Sequence, residues 1–106
     1  MPYCVCYVTC ADAAEARRIA AALVAERLAA CGNMIEGMRS VYRWQGQIET
    51  ATECVLLLKT RSALVDELSR RVKALHSYEC PCVVALPIEG GHGPYLDWIA
   101  AETRES

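Results

Sequence analysis

The chain has 106 residues, 54% of them apolar and 23% charged, with a formal net charge of −2. That length buries one core and leaves no room for a second, and the composition excludes a disordered chain. Lys and Arg are scattered rather than clustered and no apolar run approaches the ~20 residues that span a bilayer, which argues against nucleic-acid and membrane partners.

The N-terminal "MPYCVCYVTC" lacks the basic region and apolar core of a secretory signal, so the expected location is the cytoplasm. "PYCVCYVTC" is rich in Tyr, Val, Thr and Cys and predicts a strand with no charge on either face, hence apolar on both sides. Asp12 then starts a helix, with Glu15 in capping-box position. Ala16, Ile19, Leu23 and Leu28 make its apolar stripe, Glu15, Arg18 and Glu26 lie away from it, and Gly32 in "AACGN" is its expected left-handed cap.

"SVYRWQGQIE" and "TECVLLLKT" predict two further strands, with Gly46 taking the positive φ of a tight hairpin. A second helix is predicted from Ser62 to Leu75 on the stripe Leu64, Leu68, Val72 and Leu75, with Arg70, Arg71 and Lys73 suiting its C-terminal end. "HSYECPC" leads to a strand "VVALPI", a Gly-rich link "EGGHG" and a short helix "PYLDWIAAETR" with Pro94 in its first turn. The order is βαββαβ plus a terminal helix, an α+β ferredoxin-like sandwich forming a single domain over residues 1–106. Its two main helices cover one sheet face. The other face, expected to carry residues such as the Cys/Val set of the first strand, is left apolar with no spare layer in the chain, so self-association is expected.

Seven cysteines, an odd number in a reducing compartment, do not suggest a disulfide framework. Paired CxxC motifs are absent, leaving Cys4-x-Cys6 and Cys80-Pro-Cys82. On an extended strand, residues i and i+2 lie roughly 6.5–7 Å apart, wide for two thiolates on one tetrahedral zinc. Buried free cysteine acting as a small hydrophobe is the plainer reading for most of them.

"AERLAACGNMIEGMRSVYRWQGQIE", "VLLLKTR", "HSYECPCVVALPI" and "GPYLDWI" together resemble the CutA family of divalent-cation-tolerance proteins over nearly the whole chain. The resemblance implies a ferredoxin-like homotrimer similar in architecture to PII signalling proteins. It also implies a role in tolerance to copper and other divalent metals, with copper binding and no established catalytic reaction. The family's "HPYE-x-PE" here has Ser77 for proline and Cys82 for the last carboxylate; Glu36 and the Gln45/Gln47 pair also depart from its usual pattern. The role of that carboxylate therefore does not carry over, and a softer ligand stands in its place.

In such a fold the fourth strand runs antiparallel beside the first, so Cys82 is expected next to Cys10, with His76 and Glu79 on the loop above. Thiolate and imidazole favour copper or zinc over magnesium or calcium, and Cys10, His76, Glu79 and Cys82 are the candidate metal ligands. The competing reading is a plain turn: Glu79 accepts backbone hydrogen bonds, Cys80 is forced extended by Pro81, Cys10 and Cys82 are small core residues, and His76 binds the last helical carbonyls. Cys31, Tyr42, Trp44, Lys59 and Tyr78 are candidates for an intersubunit cleft, against default roles in packing or at a sheet rim. Cys31 is expected at the far end of the sheet, able to join the metal candidates only across a subunit boundary.

"EGGHGP" lacks the Lys-Ser/Thr of a phosphate loop and reads as a connection. No GxSxG and no defensible nucleophile–base pairing is present, so the expectation is a non-enzymatic protein that requires no cofactor and takes copper or another divalent metal. The alternative is a PII-like signalling module holding a small anionic ligand in the intersubunit cleft.

Overall fold

Alternation along the first strand divides the sheet into two unlike faces. In β1 (Tyr3–Cys10), Cys4, Cys6, Val8 and Cys10 are buried, whereas Tyr3, Val5, Tyr7 and Thr9 are only half-buried. A computed structural model describes residues 1–105. β1 is followed by α1 (Ala13–Ala25), β2 (Cys31–Trp44), β3 (Gln47–Arg61), a 3₁₀ turn (Ser62–Leu64), α2 (Val65–Leu75), β4 (Val83–Pro87) and α3 (Gly93–Glu102). The strands form one antiparallel sheet in the order β2-β3-β1-β4, the ferredoxin-like arrangement.

α1 and α2 cover the face that carries Cys4, Cys6, Val8 and Cys10, meeting Leu56 and Leu58 of β3 in one core cluster. Ala16, Ile19, Leu23, Leu64, Leu68 and Val72 supply the helical side of that core, as their spacing predicts. Asp12 caps α1 by accepting the Glu15 N–H at 2.8 Å, and the Glu15 carboxylate accepts the Ala11 N–H at 2.9 Å. Glu15 is only 4% exposed, a correction to its expected place on the solvent side.

The end of α1 also differs from expectation. Arg27, not Gly32, adopts the left-handed conformation, with φ 60°. Leu28 N–H bonds to Leu23 C=O at 2.9 Å and Arg27 N–H to Val24 C=O at 3.0 Å, a Schellman closure in which Leu28 packs back towards Leu23. Gly32 instead lies in β2 directly beneath α1. A Cβ built there would sit 2.9 Å from the Ala20 Cβ, so the helix can rest on the strand only because that position has no side chain.

β2 begins at Cys31 rather than Ser40, the start predicted from sequence. Its register shifts between Ile35 and Met38, and this bulge breaks the two-residue alternation that would have marked the earlier half as strand. Gln45 and Gly46 join β2 to β3, both at positive φ (49° and 79°), the two-residue hairpin geometry that "QG" predicts.

The second sheet face departs from expectation twice: it is not wholly bare, and Cys4, Cys6, Val8 and Cys10 lie on the helix-covered face instead of on it, because strand alternation sends them all to one side. α3 lies against β3 on the second face, with Ile99 fully buried. Beyond α3 the face remains open: Ile35 is 55% exposed, Val84 48% and Leu86 49%. Among the described residues no helix is long and apolar enough to cross a membrane.

Candidate functional site

The segment after α2 distributes its side chains to both faces of the sheet. His76 turns inward, with its side chain fully buried. Its Nδ1 accepts the Tyr78 N–H at 3.0 Å, so Nε2 carries the ring proton and donates to the Thr9 C=O at 2.7 Å. Glu15 reaches the same place from α1 and accepts the Ser77 N–H at 2.8 Å. Ligand-type atoms of Cys10, Glu15 and His76 lie within 4.8 Å of one another, the one such trio among the described residues.

The hydrogen bonds show what that trio does. Both imidazole nitrogens are engaged, and the two Glu15 oxygens hold backbone N–H groups of Ala11 and Ser77. Burial pushes the Cys10 thiol up to about 12, with the Glu15 charge adding to it, so the sulfur stays protonated at neutral pH. Burial alone would also raise Glu15. The hydrogen bonds from Ser77 and Ala11, with His76 nearby, outweigh it and hold the carboxyl below its ordinary range. These residues tie the first strand, the first helix and the turn after α2 together. The imidazole and the carboxylate are already committed to four backbone hydrogen bonds and the thiol keeps its proton, so the trio does not fit a metal.

The expected set of Cys10, His76, Glu79 and Cys82 is therefore not gathered. Cys10 and His76 meet, but with Glu15. Glu79 is exposed, and its carbonyl accepts the Lys73 ammonium at 3.2 Å. The pairing of Val8 with Val83, continued by one residue, sets Cys82 opposite Thr9 rather than Cys10. Neighbouring residues on a strand point to opposite faces, so Cys82 joins the open face while Cys10 enters the core.

On that open face lies a cleft of about 470 Å³. Thr9, Ser40 and Glu53, the aromatic residues Tyr42, Trp44 and Tyr78, and the cysteines Cys80 and Cys82 line it. Tyr78 donates its hydroxyl to Glu53 Oε2 at 2.6 Å. Burial, then this bond and the Glu53 charge, push the phenol well above its ordinary range, so it stays a donor.

Of the five cleft candidates, only Tyr42, Trp44 and Tyr78 share this cleft. Cys31 and Lys59 pair with each other in register at the far end of the sheet, beneath α3. Lys59 Nζ donates to Asn33 Oδ1 at 3.0 Å and to the Tyr95 hydroxyl at 3.2 Å, and Cys31 Sγ lies 3.6 Å from that same hydroxyl. Glu15, Glu53 and Cys80 were missed as site residues. Glu15 was visible only as a cap, and nothing in "TECVLLLKT" tells which face Glu53 takes.

The fold defines the class as an α+β ferredoxin-like sandwich, with which a PII-like architecture is consistent. Residues 4–102 match the family model "CutA1 divalent ion tolerance protein". The chain belongs to that family. It is 45% identical over 106 residues to the chloroplastic protein CutA 1 of Oryza sativa subsp. japonica, covering all of this chain and 60% of the rice protein. It is 52% identical over 88 residues to the divalent-cation tolerance protein CutA of Thermus thermophilus, 83% of this chain and 85% of that one. Among solved structures, CutA1 from Oryza sativa superposes with a TM-score of 0.96 at 45% identity, covering 100% and 97% of the two chains. The periplasmic divalent cation tolerance protein CutA from Archaeoglobus fulgidus gives 0.91 at 43% identity, covering 94% and 97%.

Proposed function

We propose that the protein is a homotrimeric, non-enzymatic divalent-metal tolerance protein that binds copper. The observation that carries this reading is the open sheet face: Ile35, Val84 and Leu86 are about half exposed, next to a hairpin whose Val41 and Ile48 are more exposed still. Apolar area of that kind is costly in water and is relieved when copies of the chain cover one another. The cleft beside it, with two cysteines in its lining, then lies where subunits meet and offers copper a sulfur-rich site. Metal tolerance is what the names of the Thermus and Archaeoglobus relatives state.

The seven free cysteines suit a reducing compartment, and we propose the cytoplasm. Relatives carry chloroplastic and periplasmic names, so cell fractionation is the check on location. The test of function is a copper titration of the reduced protein together with its sedimentation mass. Binding by a trimer supports the proposal, and a monomer that takes no copper overturns it.

One observation favours a second reading, a PII-like module for a small anion. Among the described residues Lys59 has no carboxylate partner, only the neutral oxygens of Asn33 and Tyr95. Thermal-shift measurements with nucleotides and organic acids, in native protein and Lys59→Met, separate the two readings.

A further inference from the structure

Cys80 and Cys82 differ from the other cysteines in where the fold puts them. Cys4, Cys6, Cys10 and Cys54 are buried, and Cys31 lies beneath α3 beside the Tyr95 hydroxyl. Cys80 is exposed and Cys82 half-buried, and both line the same cleft. Pro81 between them bears on this: its ring disfavours the helical conformation for Cys80, where the chain bends before β4 begins at Val83. Among the described residues neither sulfur is held by a hydrogen bond, in contrast to the fully engaged ring of His76.

We infer that Cys80 and Cys82 form a two-thiolate site for a soft monovalent cation of the Cu(I) type. The inference rests on the metal-tolerance reading above and names the donors and the class of ion. Spacing selects the ion. With metal–sulfur bonds of about 2.3 Å, a tetrahedral ion needs its sulfurs about 3.8 Å apart, whereas a linear two-coordinate ion accepts about 4.6 Å. Residues two apart reach at most roughly 6.5–7 Å at the backbone, a span that accommodates the wider, linear demand without forcing the chain together. Thiolate softness favours the same ion. Such an ion needs no third donor, which agrees with the Glu53 carboxylate being held by Tyr78. Binding replaces the S–H proton of each thiol with a metal–sulfur bond; two protons pass to solvent and no electron moves.

The experiment titrates the reduced full chain with Cu(I) without oxygen, against bicinchoninate as competing chelator. The expected result is one ion per chain in the native protein. Cys80→Ser and Cys82→Ser each weaken binding at least tenfold, the double variant abolishes it, and Cys31→Ser leaves it unchanged. Zn(II) competes poorly. A double variant that binds as the native protein does overturns this site while leaving copper binding in place, and a native protein that binds no Cu(I) overturns both. Should the double variant fail to fold, alkylation of the native protein by iodoacetamide, read by peptide mass spectrometry, decides. Cu(I) must protect Cys80 and Cys82 but not Cys31; equal labelling with and without the ion overturns the inference.

Discussion

Glu15 joins the start of α1 to the turn after α2, one oxygen on the Ala11 N–H and the other on the Ser77 N–H. Its folded carboxyl titrates below its ordinary value because those bonds outweigh burial. The sign follows: the stability it contributes is fully present above the ordinary value of 4.5 and is lost as pH falls through the lower folded value. Native protein is thus expected to lose stability as it is acidified below that point, and Glu15→Gln to show a shallower loss. At pH 7 the variant should be less stable by about 1–3 kcal/mol, since one amide must face a backbone donor. Urea midpoints across pH 3–7 measure both. The cap was legible in "DAAE", because a capping box is local. Burial of the same residue was not legible, since it depends on Ser77, which folding brings from 62 positions away.

Two element contacts set how the helices and the hairpin sit. α1 rests on β2 where Gly32 faces Ala20, with Leu56 and Leu58 at 3.2–3.3 Å from the Cβ position. Gly32→Ala is expected to cost about 1–3 kcal/mol by overpacking. Ala20→Gly in the same chain should restore part of that loss, despite the roughly 1 kcal/mol penalty of glycine within a helix. A double-mutant cycle from denaturant midpoints reads the coupling, and simple additivity would refute the contact as its cause. At the hairpin, Gln45 holds φ 49° without being glycine. Gln45→Asn is expected to stabilise the protein by up to about 1 kcal/mol, because Asn-Gly suits this turn, with an unchanged fold by circular dichroism.

Helix stripes and the hairpin turn were legible because they repeat over a few residues. The first half of β2 was not, because its bulge interrupts the period, and Gly32 read as a cap because its real partner lies on another element. The four proposed metal ligands failed as a set for a related reason. His76, Glu79 and Cys82 are near in the chain, but Cys82 falls one position out of register with Cys10, and adjacent strand positions point to opposite faces, so the two part company across the sheet.

At the scale of the molecule, the sheet has one dry face and one open face. α1 and α2 bury the first; α3 covers only part of the second, leaving Val84 and Leu86 on the short edge strand β4 half exposed. The proposed assembly makes a direct prediction. Native protein should sediment at three times its 11.7 kDa chain mass, and Leu86→Asp should shift that mass towards the single chain. A carboxylate cannot be buried in an apolar interface without a partner, and the cost is several kcal/mol. An unchanged mass for Leu86→Asp would place the interface elsewhere.

The sequence by itself determined the order of elements, the apolar stripes, the hairpin and the family, since each is written in short-range spacing or in motifs read along the chain. Tertiary structure alone decided which thiols face solvent, that His76 is held by the backbone on both nitrogens, and that Cys80 and Cys82 share a cleft with Tyr78 and Glu53. The physical reason is that a side chain's chemistry depends on the sheet face it takes and the groups it meets there. Those neighbours come from distant parts of the chain and are chosen by register and packing, not by proximity in sequence.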